Sequence, residues 1–168
     1  LLWLSTAGLV CVEAADGAFV ERNKWIADSQ FYGVSAMSGN LAVIGACVHN
    51  FTTNDESVVV YRTTDGGHTF TPAATLTGDD VHARAFFGVA VAISGSIVAV
   101  GALSTLVDGV FLGAVYTFRT TDGGMHFSQT QKLTTTDTPQ KGEQFGYQFG
   151  IAGNVVAVGA FAHQSSAV

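Results

Sequence analysis

The stretch FGVAVAISGSIVAVGA, Phe87 to Ala102, is two β-rich runs joined at Gly95-Ser96. A glycine-first pair between such runs signals a type II′ hairpin, with Gly95 in the positive-φ position. Both runs are apolar or small on both faces, the pattern of strands covered on either side by neighbouring sheets. The stretch aligns without a gap with FYGVSAMSGNLAVIGA from Phe31 and with FGYQFGIAGNVVAVGA from Phe145. The spacings are 56 (87 − 31) and 58 (145 − 87) residues. Repetition at this period points to an array of like units rather than one catalytic domain.

Working outward, each unit continues with a third strand, at Val58–Tyr61 and Ala114–Phe118, and then with an identical corner, RTTDGG, at Arg62–Gly67 and Arg119–Gly124. A more polar fourth strand ends at Leu76 or at Lys132-Leu133. Apolar inner strands and a polar outer one, repeated at this length, are what a propeller blade requires. The fold class expected is all-β: an incomplete β-propeller of about three four-stranded antiparallel blades, forming an open arc because closed propellers use four to eight. The units fall at 31–86, 87–144 and 145–168, the last being the truncated start of a further blade. Residues 1–30 read as a degenerate or partial blade, since GLVCVEAADG (Gly8–Gly17) matches AVYTFRTTDG (Ala114–Gly123). The alternative reading of 1–14 is a signal peptide, with an apolar core and small residues near Ala14. The missing initiator methionine and the stop within a repeat mark the chain as a fragment.

Composition limits the partners. Of 168 residues, 48% are hydrophobic and 12% charged, which suits a compact domain. Twenty glycines and two prolines fit many tight turns between short strands. A formal charge of −6 offers no cationic footprint for a phosphate backbone, so no nucleic-acid partner is expected. No apolar run of about 20 residues is present to span a bilayer as a helix.

The alternation FG…ISG…AVGA, followed by GAVYTF and a KLTTTD strand end, resembles the FG-GAP repeat, the blade unit of the propeller at the N-terminus of integrin alpha subunits. The resemblance implies a β-propeller, an extracellular or cell-surface setting, and binding of a protein or glycan at loops on one face. Those loops are CVHNFTTNDES and LSTLVDGVFL after the Gly-Ala pairs, and DDVHARAF and TPQKGEQ between blades. Integrin-type copies often carry an aspartate-rich calcium loop between the first two strands. Here that interval holds SGN, SGS and AGN, too few oxygen ligands for calcium, so no cofactor or metal is expected. The proline of the GAP motif is replaced by Cys47, Leu103 and Phe161, and Tyr32 stands at the first copy's FG glycine position. TTDGGHTF also has Thr63, Asp65, Gly67, Thr69 and Phe70 at the spacing of an Asp-box, a hairpin that resembles those of sialidase propellers.

The residues singled out have packing or turn roles. Phe31, Phe87 and Phe145 begin the copies, and the rings of Phe87 and Phe145 are expected between adjacent blades. Gly88 and Gly146 allow close backbone approach, and Gly101-Ala102 and Gly159-Ala160 end the second strands where sheets crowd. Asp65 and Asp122 accept bonds from following amides, with Gly67 and Gly124 completing the turns. The acidic pairs Asp55-Glu56 and Asp79-Asp80 read as solvated loop charge. Asn50 opens an NFT glycosylation sequon, and Cys11 and Cys47 allow one disulfide.

No catalytic residues are expected. A sialidase-like site needs clustered arginines with a tyrosine and a glutamate, whereas Arg62 and Arg119 are repeat-equivalent and belong to different blades. The histidines show no metal spacing, and no GxSxG, HExxH or nucleotide-binding motif occurs. The expected function is a non-catalytic extracellular propeller module for protein–protein or adhesion-type binding. The alternatives are a fragment of an Asp-box glycoside hydrolase whose catalytic residues lie elsewhere, and a purely structural surface repeat.

Overall fold

The computed structural model describes residues 8–15, 18–26, 34–46, 56–82, 84–107, 109–135 and 144–160. Phe31, Cys47, Asn50 and Asp55 lie outside them. The described residues are all-β. Strands β1 (Gly8–Ala15) and β2 (Ala18–Ile26) form an antiparallel pair. β3 (Ser35–Ser38), β4 (Leu41–Ala46), β5 (Ser57–Arg62) and β6 (Thr71–Leu76) make one four-stranded antiparallel sheet in sequence order, blade A. β7 (Phe87–Ser94), β8 (Ile97–Ala102), β11 (Ala114–Arg119) and β12 (Ser128–Leu133) make the second, blade B. A short hairpin, β9 (Leu106–Val107) and β10 (Val110–Phe111), is inserted between β8 and β11. β13 (Phe145–Ala152) and β14 (Val155–Ala160) pair with each other.

The turns follow from single glycines. Gly39, Gly95 and Gly153 have φ of 58°, 56° and 55°, while Asn40, Ser96 and Asn154 are not left-handed. A positive φ at the first central residue alone is the type II′ signature, whose twist suits the flanking strands. The FG dipeptides make a different turn. The Val89 amide donates to the Phe86 carbonyl (3.2 Å) and the Tyr147 amide to the Gln144 carbonyl (3.2 Å), with Gly88 and Gly146 at φ 91° and 88°. Phe-Gly is therefore the central pair of a type II turn, in which the second position needs glycine. The turn leaves two residues unpaired, so Phe87 opposes Ala102 while Ala90 opposes Gly101; Phe145 and Gln148 repeat the pattern against Ala160 and Gly159.

The blades stack through their first two strands. β7 packs on β3 and β4, and β13 on β7 and β8. The main core lies between blades A and B, with Val43, Val58, Val60, Phe87, Val98, Val100 and Tyr116 fully buried. Phe87 meets Tyr116 and Phe118 edge-on at centroid distances of 5.5 and 6.2 Å. Stack position decides burial. β11, in the sandwiched blade B, is buried along Ala114–Phe118 on both faces, whereas the equivalent β5 buries Val58 and Val60 more deeply than Val59 and Tyr61.

Candidate binding face

The antiparallel order puts two kinds of connection at opposite ends of each blade. The β3–β4 and β5–β6 turns, and their counterparts in blade B, share one end. The connections from second to third strand, and from one blade to the next, share the other, the loop end, which carries the described parts of the expected loops at 79–86 and 103–112; those at 47–57 and 138–144 lie almost wholly outside the described residues.

At the turn end, the RTTDGG corners consume their own polar groups. In blade A, Asp65 Oδ1 accepts from the Thr63 hydroxyl (2.8 Å) and the Thr69 amide (2.8 Å), and Oδ2 from the Thr69 hydroxyl (2.5 Å). Thr63 Oγ1 in turn accepts from the Gly67 amide at 2.9 Å. In blade B, Asp122 Oδ1 accepts from the Thr120 hydroxyl (2.8 Å) and from the amides of Met125 and His126 (3.0 Å each), with His126 Nδ1 2.6 Å from Oδ2. The Thr69 hydroxyl and amide hold the Asp65 carboxyl well below the usual carboxylate range. The His126 amide and ring do the same for Asp122. Each corner is tied to the adjacent hairpin turn, Thr63 N–H to the Asn40 carbonyl (2.9 Å) and Thr120 N–H to that of Ser96 (3.0 Å). Gly124 is buried against the preceding blade: a Cβ there would lie 2.4 Å from Leu41 Cδ2.

Glycine also sets the spacing between blades. A Cβ on Gly45 would come 2.0 Å from the Gly88 carbonyl oxygen, and one on Gly101 2.3 Å from that of Gly146. The FG glycines Gly88 and Gly146 thus rest on the Gly-Ala glycines of the blade before them, and the nearest atom in each case is a backbone oxygen rather than the end of a flexible side chain. Gly146 is itself confined by the Ala114 carbonyl at 2.6 Å. Gly159, at the same place in the last copy, has nothing nearer than 3.6 Å. Ser38 Oγ accepts from the Gly95 amide and Ser94 Oγ from the Gly153 amide, both at 3.0 Å, so successive turns are linked. The sequence showed these serines only as poor calcium ligands. Their position before the turn glycine in two copies was the available signal.

The loop end is knit around blade B. Asp80 accepts from the Tyr116 hydroxyl (2.7 Å) and the Lys132 ammonium (2.5 Å). Burial works to raise the Asp80 carboxyl, but these two donors outweigh it and hold it below its ordinary value. Burial pushes the Tyr116 phenol up, and the bond to Asp80 adds to the shift. Glu56 is buried and its Oε2 accepts from the Phe87 amide at 3.0 Å. The reading of Glu56 as solvated charge is therefore corrected, since it is buried and holds a strand amide; Asp80 stays exposed to solvent but is engaged by two side-chain donors, which an acidic pair in a loop does not reveal. Among the described residues, no three His, Cys, Asp or Glu side chains gather to hold a metal, and no helix is long and apolar enough to cross a membrane.

Above these anchors the β9–β10 hairpin projects. Its base is fixed by the Ser104 amide donating to the Ala85 carbonyl (3.0 Å) and the Leu112 amide to that of Thr105 (3.1 Å), and Gly109 turns it at φ 80°. Leu106 and Phe111 are cross-strand partners and both exposed, at 40% and 47%. The His82 ring from the inter-blade loop meets Phe111 edge-on at 6.0 Å. Two exposed apolar side chains are thus paired on a hairpin whose base is hydrogen-bonded to the rest of the loop end.

Residues 70–118 match the family model of the FG-GAP repeat, a segment that contains Phe87-Gly88 and Gly101-Ala102. No curated protein matches the chain.

Proposed function

We propose that this chain, which carries the FG-GAP repeat and the β-rich blades of a propeller-type repeat module, is a non-catalytic binding unit of an extracellular or cell-surface protein. Its ligand is a protein that docks on the loop end of blade B. The observation that carries this reading is the exposed Leu106–Phe111 pair on a hairpin whose base is hydrogen-bonded to the inter-blade loop. Exposed apolar side chains held rigidly lose little entropy on binding. The polar chemistry elsewhere is already engaged: the carboxylates of Asp65 and Asp122 are occupied by their own corners, which are read as Asp-box-like turn formers. Arg62 and Arg119 sit on separate blades, so they do not form the arginine cluster that a sialidase-like site requires. The function needs no metal in this reading, and a secreted setting is inferred from the repeat type.

The test is biolayer interferometry of the chain against a panel of purified extracellular-matrix proteins, beside a Leu106→Ser/Phe111→Ser variant. A matrix protein should bind, and the variant should bind it at least tenfold more weakly, about 1.4 kcal/mol, with an unchanged melting temperature. Binding unaffected by the double substitution, or release of fluorophore from a sialoside substrate, would overturn the reading.

A further inference from the structure

Blades A and B share their register, yet blade B departs from the repeat at positions that meet in one place. Tyr116 stands where blade A has Val59, its cross-strand partner Lys132 where blade A has Thr75, and Gln129 where blade A has Pro72. Residues that recur in both copies build the blade, and those that differ are available for a role particular to one of them. All three act on the loop from residue 77 to residue 86, which joins the two blades. The Gln129 side-chain oxygen accepts from the Asp79 amide at 3.0 Å. The Tyr116 hydroxyl donates to one oxygen of Asp80 and the Lys132 ammonium to the other, and that ammonium lies 5.6 Å from the centroid of the Tyr116 ring. Gly78 fits beneath the same ring: a Cβ there would lie 2.7 Å from Tyr116 Cε1.

Two routes lead from this clamp to the β9–β10 hairpin. Two residues beyond Asp80, the His82 ring meets Phe111 edge-on. The His82 carbonyl accepts from the Ala85 amide (3.1 Å), and the Ala85 carbonyl accepts from the Ser104 amide at the foot of the hairpin (3.0 Å). The other route runs through Thr105, which is 1% exposed. Its side chain also bonds to the Tyr116 hydroxyl, and its carbonyl accepts from the Leu112 amide (3.1 Å). The hairpin has two residues in each strand, and a lone pair of strands is marginal in water, so its orientation depends on these supports. The loop that supplies them is itself constrained: Arg84 and Phe86 hold positive φ of 68° and 56°, which residues with a side chain keep only where the surroundings impose it.

Resting on the reading that Leu106 and Phe111 bind a partner, we propose that Asp80 is a positioning residue for that surface: it clamps the inter-blade loop onto Tyr116 and Lys132, and the clamped loop holds the hairpin. Affinity for the partner is then set in part by residues that never touch it, through the ordering cost that a fixed hairpin avoids on binding.

Amide hydrogen exchange on the chain without ligand reads the clamp by itself, so its outcome is separate from that of the binding test on the Leu106→Ser/Phe111→Ser variant. The amides at the centre of β8, Val98–Val100, report global unfolding and serve as the reference. In Asp80→Ala the Ser104 and Leu112 amides should exchange faster by about tenfold more than the reference does. Tyr116→Phe keeps the buried ring and removes only the hydroxyl, and should accelerate the same two amides selectively by about threefold. Acceleration no greater at Ser104 and Leu112 than at the centre of β8, in either variant, overturns the proposal.

Discussion

The interface between blades A and B and the one between blade B and β13–β14 share their backbone contacts and differ in their burial. Both have a glycine on a glycine, Gly45 with Gly88 and Gly101 with Gly146, and both have a serine accepting from the next turn's glycine amide. Beyond those contacts the second interface is only half made. Phe87 is fully buried while Phe145 is half-buried, and Leu41 is 4% exposed while its equivalent at the second interface, Ile97, is only partly buried. The phenylalanine amides are satisfied differently as well, by the Glu56 carboxylate for Phe87 and by the Leu112 carbonyl for Phe145 (3.0 Å). The glycines fix how close two blades come, and the third and fourth strands supply the apolar cover that makes the approach stabilising.

The largest expected effect breaks this difference directly. Phe87→Ala should cost about 3–5 kcal/mol in denaturant unfolding, the range for a fully buried aromatic, and Phe145→Ala about 1–2 kcal/mol because its ring is already partly hydrated. Next, Gly45→Ala should cost about 3 kcal/mol, at the upper end for overpacking, since the obstacle is a backbone carbonyl. Gly101→Ala meets the same obstacle at 2.3 Å but should cost less, because a two-stranded unit can shift away. Glu56→Ala should then cost about 1–2 kcal/mol by leaving the buried Phe87 amide without an acceptor. Glu56→Gln keeps an acceptor oxygen and should recover most of that loss, which distinguishes the hydrogen bond from the charge.

Acid should act on the two corners alike and least of all. Both aspartates have depressed pKa values when folded. Their contribution is therefore fully present above the ordinary carboxylate value of about 3.9 and is lost as pH falls below it, where the unfolded chain binds more protons. Melting temperature followed from pH 6 to pH 2 should fall on the acid side, and Asp65→Asn and Asp122→Asn should each flatten that fall by a similar amount.

Much of this architecture was legible because glycine cannot be exchanged where φ is positive or where backbones touch. The FG, SG and GA spacings therefore repeat in the sequence, and with them the four-strand order. What remained hidden was which glycine meets which. Gly45 and Gly88 are far apart in sequence and belong to different copies, and a one-dimensional repeat does not distinguish contacts within a blade from contacts between blades. Glu56 and Asp80 were read as loop charge because nothing in an acidic pair indicates a buried amide or a tyrosine nearby. The β9–β10 hairpin was read as part of a loop, since strands of two residues carry no periodicity.

Amide hydrogen exchange tests most directly whether one interface is complete and the other half made. The Phe87 amide, buried and bonded to Glu56, should exchange only through global unfolding, and the Phe145 amide should exchange at least tenfold faster through local opening of β13–β14. Equal protection of the two amides would contradict the account.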